Sequence, residues 1–171
     1  MTDLRRFIRD VPDFPTPGIL FRDITPLLAS PDAFRAAVDA MAAPFRGSQA
    51  GKVVGIEARG FMFGAAVARE LDIGFVPARK PGKLPGRTEK VAYGLEYGSD
   101  ALEVHADAFS AGESVLIVDD VLATGGTAAA AAELVERLGA RVTALVFCIE
   151  LAALEGRTRL SGRPAHAVLV L

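Results

Sequence analysis

The sequence predicts an α/β domain built on a central, mostly parallel sheet flanked by helices, and three observations carry that prediction. Short, near-continuous apolar runs such as KVVGIE, VLIVDD and RVTALVFCI recur along the chain. Strands that apolar need cover on both faces, which is the situation of parallel strands. Between the runs lie segments of helical composition, so that strand and helix alternate. Finally, 171 residues with 51% hydrophobic and 23% charged side chains are enough for one globular core and fit a single domain over residues 1–171.

Taken in order, residues 1–50 hold a turn-rich stretch, DFPTPGILFRDITPLLASPD, followed by a helix expected over 32–45. Residues 52–57 form the first parallel strand, 61–71 a helix, and 74–78 a strand limited at Pro77. A glycine- and proline-punctuated basic segment follows, and YGLEYGSDALEVH (93–105) reads as a hairpin turning at Gly98-Ser99-Asp100. Residues 115–119 are the third parallel strand, and 126–138 an alanine-rich helix stopped by Gly139. Strands at 141–149 and 167–170 complete the sheet. Neither the first 50 residues nor the 79–105 segment is long enough to bury a core of its own.

Composition narrows the function classes. A net charge of −2 lacks the basic footprint of a nucleic-acid binder. No apolar run reaches the roughly 18 residues that span a bilayer, and the N-terminal stretch MTDLRRFIRDVPDF has no apolar secretory core. A single cysteine, Cys148, cannot form an internal disulfide, so a cytoplasmic protein is expected. Charge is nonetheless concentrated at Arg79, Lys80, Lys83, Arg87 and Lys90, interrupted only by Glu89 and laced with Pro81, Gly82, Pro85 and Gly86. This loop is either simply solvated or a docking site for a small polyanion.

The most informative stretch is VLIVDDVLATGGT, from Val115 to Thr127. A buried strand runs into two adjacent carboxylates, then into a turn of small residues that opens a helix. Ligands of open parallel sheets bind beyond the carboxyl ends of the strands. A helix N-terminus there offers free N–H groups and a positive dipole end to phosphate. Thr124 and Thr127 add hydroxyl donors, and Gly125 and Gly126 permit close backbone approach. The stretch is neither GxxxxGK[ST] nor GxGxxG. Asp119 and Asp120 would repel a triphosphate but accept hydrogen bonds from vicinal sugar hydroxyls. Phosphate on the turn and ribose on the acids describe a ribose 5-phosphate; the plainer alternative is two solvated acids and a capping turn.

This stretch resembles the 5-phosphoribosyl 1-pyrophosphate (PRPP) signature of the type I phosphoribosyltransferases. Four further segments, FPTPGILFRDITPLL (14–28), GIEARGFMFG (55–64), FVPARKPGKLPG (75–86) and YGLEYG (93–98), resemble the members that act on adenine. The resemblance implies the type I fold, with a small N-terminal hood and a mobile basic loop and hairpin. It implies that Ala123, Thr124, Gly125, Gly126 and Thr127 hold the 5-phosphate and Asp119 and Asp120 the ribose. Arg59 and Gly60 would belong to the pyrophosphate loop, with Arg79, Lys80 and Lys83 adding charge there from this chain or a neighbouring subunit. Phe21 and Arg22 would close over the base, although a Phe in such a segment also serves as a core anchor. Glu96 would exchange a proton with the purine, or else be a solvated hairpin carboxylate. The implied reaction is transfer of ribose 5-phosphate from PRPP to N9 of adenine, giving AMP and pyrophosphate, with Mg2+ carried by PRPP rather than by a protein cage, in a cytoplasmic homodimer.

Two other readings fit the same motif: transfer to another purine such as hypoxanthine or guanine, and a non-catalytic PRPP-sensing regulator. The second would require a basic DNA-binding addition, and no helix-turn-helix pattern is present in residues 1–50. Cys148 reads as an inert buried thiol, His105 and His166 as incidental, and Met41 and Met62 as helix packing.

Overall fold

The computed structural model describes residues 3–95 and 98–171. Strands β1 (Arg9–Pro12) and β2 (Leu20–Asp23) form a small antiparallel hood, followed by a short helix α1 (Thr25–Ala29) and helix α2 (Pro31–Ala42). α2 starts because Ser30 caps it, its side chain accepting from Ala33 N at 3.3 Å, with Pro31 in the first turn. Ala33, Ala37, Val38 and Met41 then fall on one buried face. Strand β3 (Lys52–Ile56) leads into α3 (Gly60–Leu71), whose buried stripe of Gly60, Phe63, Gly64, Val67 and Ala68 keeps helical spacing. Asp72, at φ 56, ends α3 in a left-handed turn, and β4 (Gly74–Ala78) follows.

The antiparallel hairpin β5 (Thr88–Leu95) and β6 (Gly98–His105) comes next, then β7 (Ser114–Leu122), α4 (Gly126–Arg137), β8 (Arg141–Glu150) and β9 (Ala165–Val170). β3, β4, β7, β8 and β9 make one parallel sheet in the order β4-β3-β7-β8-β9. The centre of β7 alternates between two cores. Val115 and Ile117 face α4 and the hairpin residues Val91, Leu102 and Val104, whereas Leu116 and Val118 face α2 and α3. This is the two-sided burial that the apolar runs demand.

Four expectations need correction. The hairpin does not turn at Gly98-Ser99-Asp100; these residues belong to β6, and Leu95 pairs with Gly98. Core burial of Val91 opposite Leu102 sets the register and overrides the turn chemistry of the Gly-Ser-Asp sequence. The basic segment is not loop throughout, because Thr88–Lys90 are already paired with Glu103–His105. β7 does not end at Asp119 but runs to Leu122, held by β8. Met62 is 40% exposed rather than packed, whereas Met41 and Cys148 are fully buried.

Candidate active site

The chain passes from β3 outward to β4, then returns to place β7 on the other side of β3. The connections therefore leave β3 and β7 in opposite directions at their carboxyl ends, and a crevice opens between them. β3 stops pairing with β7 at Gly55–Val118, while β7 continues along β8 to Leu122. Asp119 and Asp120 thus lie on a strand with one edge bared to the crevice. A cavity of about 700 Å³ fills it, bounded among others by Phe21, Arg22, Arg59, Lys80, Asp119, Asp120, Ala123 and Thr127. A smaller hollow of about 70 Å³ adjoins it, enclosed by residues 121–128 and Asp119.

The small hollow is the turn before α4. Gly125 holds φ +81 as the residue before the helix, a conformation that side chains resist. A Cβ there would also collide with the Gly156 carbonyl oxygen, and one on Gly156 with the Ala123 carbonyl oxygen. The turn and the segment after Glu155 are therefore pressed backbone to backbone. Gly126 differs, because a Cβ there would meet Arg159 Nη1 at 3.5 Å and Tyr93 Cδ2 at 3.7 Å, ordinary contact distances. The strain in the cradle sits on Gly125, not Gly126. The residues that carry the free N–H groups at the start of α4, Gly126, Thr127 and Ala128, line this small hollow, the arrangement an anion site requires.

The two acids are not equivalent. Asp120 is 4% exposed, and its Oδ2 lies 2.6 Å from Arg59 Nε. That N–H is not aligned on the oxygen, so Oδ2 has an opposite charge beside it but no hydrogen-bond donor. Asp119 Oδ1 accepts from Asp120 N at 2.8 Å. Burial, and then the neighbouring Asp120 charge, push the Asp119 carboxyl well above the usual carboxylate range. Gly60 lets the head of α3 approach this pair, since a Cβ there would stand 2.7 Å from Asp119 Oδ1 and 2.9 Å from Val118 O. Gly60 thus touches the acids through packing and does not line the cavity.

Arg59 also lies over the Phe21 ring, 5.3 Å from its centroid, and so ties the hood to the acids. Phe21 packs edge-on against Phe14 at 5.1 Å, and Arg22 is ion-paired with Asp10. On the opposite wall Lys80 binds Asp100, Nζ to Oδ2 2.8 Å. That hydrogen bond raises Lys80 above and holds Asp100 below their usual ranges. Arg79 does not line the cavity, and gives Nε and Nη2 to Glu57, which does, at 3.2 and 3.3 Å. Lys83 does not line it either. Glu96 lies outside the described residues.

Several cavity residues carried no signal in the sequence reading. Tyr93 and Asp100, opposite each other on the hairpin, reach the wall because β5 and β6 pack over α4. Burial raises the Tyr93 hydroxyl above its usual range, while a hydrogen bond with Thr127 of the cradle pulls the other way. Leu151 and Leu154, just past β8, add apolar wall. Their place beyond a strand's carboxyl end was the available clue.

Strand order, switch point and the acids beside a phosphate-sized turn define a phosphoribosyltransferase, and the profile of the phosphoribosyl transferase domain family matches residues 27–166. The chain belongs to the adenine phosphoribosyltransferase family. It is 59% identical over 169 residues to the adenine phosphoribosyltransferase of Methylococcus capsulatus, covering 99% of both chains. The crystal structure of the Rhodothermus marinus adenine phosphoribosyltransferase superposes with a TM-score of 0.93 at 54% identity, over 98% of this chain and 96% of that one. The Saccharomyces cerevisiae enzyme, complexed with an imino-altritol bisphosphate and adenine, superposes with a TM-score of 0.90 at 44% identity, over 95% and 94%.

Proposed function

We propose that this site transfers ribose 5-phosphate from PRPP to N9 of adenine, leaving AMP and releasing pyrophosphate, in the salvage of free base. The observation that carries the proposal is the phosphate-sized hollow opening onto the larger cavity across Asp119 and Asp120. The 5-phosphate sits on residues 123–127, and the ribose hydroxyls reach the acids at the edge of the larger cavity. Arg59 and Lys80 face the departing pyrophosphate from two walls; Arg79 and Lys83 stand behind, through Glu57 and the loop backbone. Phe21, Arg22, Leu151 and Leu154 enclose the base.

In the reaction the C1–O bond to pyrophosphate breaks, the C1–N9 bond forms, and a proton leaves the purine ring system. The transition state is oxocarbenium-like, so the protein works by holding the base against C1 and balancing the leaving charge. Glu96, between strands that carry Tyr93 and Asp100 to the cavity, is the proposed proton acceptor. The divalent ion of this reading is brought in on PRPP oxygens rather than held by a protein cage. Mg2+ so bound neutralises pyrophosphate charge.

Among the described residues no helix is long and apolar enough to cross a membrane; the unpaired, buried Cys148 supports a cytoplasmic setting. A homodimer remains part of this reading through the family resemblance. Calorimetry tests the site assignment. AMP and PRPP should exclude each other, because both need the one phosphate cradle. Simultaneous binding would overturn the assignment.

A further inference from the structure

Glu103 is 5% exposed although it lies on the β6 face opposite Leu102 and Val104, which enter the core. The basic segment covers it. Glu103 Oε1 accepts from Lys83 N at 3.1 Å and Leu84 N at 3.2 Å, and Oε2 accepts from Thr88 Oγ1 at 3.2 Å. Its own backbone brackets Arg79, with Arg79 N to Glu103 O at 2.9 Å and Glu103 N to Arg79 O at 2.7 Å. Among the described residues no cation lies within ion-pairing distance of this carboxylate. Lys90 stands opposite Glu103 in the ladder without forming an ion pair, so the buried charge depends mainly on its hydrogen bonds. Here those bonds come from the loop at Lys83 and Leu84 and from Thr88 at the start of β5, so loop conformation and buried charge require each other.

We infer that Glu103 is a positioning residue for the pyrophosphate side of the site, the fixed point around which residues 82–88 wrap so that Lys80 is carried to the cavity wall. This rests on the proposal above that the basic segment meets pyrophosphate. Burial pushes the Glu103 carboxyl up, but donors from Leu84, Lys83, Thr88 and Gly82 outweigh it and hold the group below its usual range. Gly82 and Gly86, at φ +79 and +80, supply the reversals that the wrap needs.

The test is calorimetric affinity for PRPP and for AMP in Glu103→Gln, in the milder Thr88→Val, and in Lys80→Ala and Lys83→Ala, with amide exchange across residues 82–88. Gln puts an NH2 group where a charged acceptor is needed, so PRPP affinity should fall about tenfold or more while AMP affinity holds within about twofold. Exchange in 82–88 should quicken, and Lys80→Ala should add little to Glu103→Gln. Thr88→Val should move the same way by less, and decides the matter if Glu103→Gln does not fold. Unchanged PRPP affinity in Glu103→Gln and Thr88→Val, or equal loss of AMP and PRPP, overturns the positioning role. If the lysine variants still weaken PRPP, only Glu103 is mistaken; if they do not, the basic-segment assignment falls as well.

Discussion

Arg59 holds Asp120 across the crevice between β3 and β7, Nε 2.6 Å from Oδ2, yet the contact lacks an aligned hydrogen bond. The guanidinium comes from the head of α3 and the carboxylate from β7, so the pair ties the two sides of the crevice together at its floor.

Asp120→Asn should therefore cost binding far more than folding. A hydrogen bond to a charged group contributes about 1.5–3 kcal/mol, or roughly 10- to 150-fold in affinity. PRPP affinity measured by calorimetry should fall by that amount with a cooperative thermal unfolding retained. Wild-type affinity would remove Asp120 from the ribose site.

Asp119→Asn should separate function from stability. The folded-state carboxyl is raised above its ordinary value, so between that value and the raised one the native protein binds more protons than the unfolded chain. Stability from this group is complete at acid pH and is lost as pH rises through the raised pKa. The Asn variant removes that loss and the repulsion from Asp120. It should melt higher than wild type near pH 7, with the difference shrinking towards about pH 4, while PRPP use falls. Equal melting temperatures across that range would show that Asp119 carries no such burden.

Gly125→Ala and Gly126→Ala should behave differently although they are neighbours. At Gly125 the methyl group meets the Gly156 carbonyl in a backbone conformation that costs a side chain about 1–2 kcal/mol even without the clash. That variant should lose stability and AMP binding together. At Gly126 the methyl group finds only ordinary contacts, so the fold should hold. Thermal melts that rank the two variants the other way would mean that Gly156 does not brace the cradle.

Glu96→Gln should slow the chemical step with PRPP affinity little changed, since the proposed phosphate and ribose contacts lie on β7, the turn after it and the start of α4. General-base catalysis contributes about 10²–10⁴-fold. Single-turnover mixing isolates that step from product release. A Gln variant as fast as wild type would leave catalysis to positioning and pyrophosphate stabilisation.

Legibility in the sequence followed locality. The acids, the turn and the start of α4 were readable because strand, turn and helix are consecutive, each with its own period and composition. The parallel sheet was readable because its strands are buried on both faces. The hairpin register was not, since it depends on Val91 and Leu102 meeting a core supplied by α4. Nor was the bracing of Gly125 by Gly156, a contact between segments far apart in the chain. Glu103 looked like any strand carboxylate until a loop twenty residues away covered it. Lys80 reached the cavity and Arg79 turned to Glu57 for a reason that composition does not hold, the direction each side chain takes from β4 and the loop after it.

Incubation with PRPP, magnesium and either adenine, hypoxanthine or guanine, followed by separation of the nucleotides, tests the proposed reaction most directly. Adenine should give AMP and pyrophosphate in equal amounts, with the other two bases far slower. Nucleotide formation from hypoxanthine or guanine as fast as from adenine would contradict the base assignment, and none from any base would contradict the reaction itself.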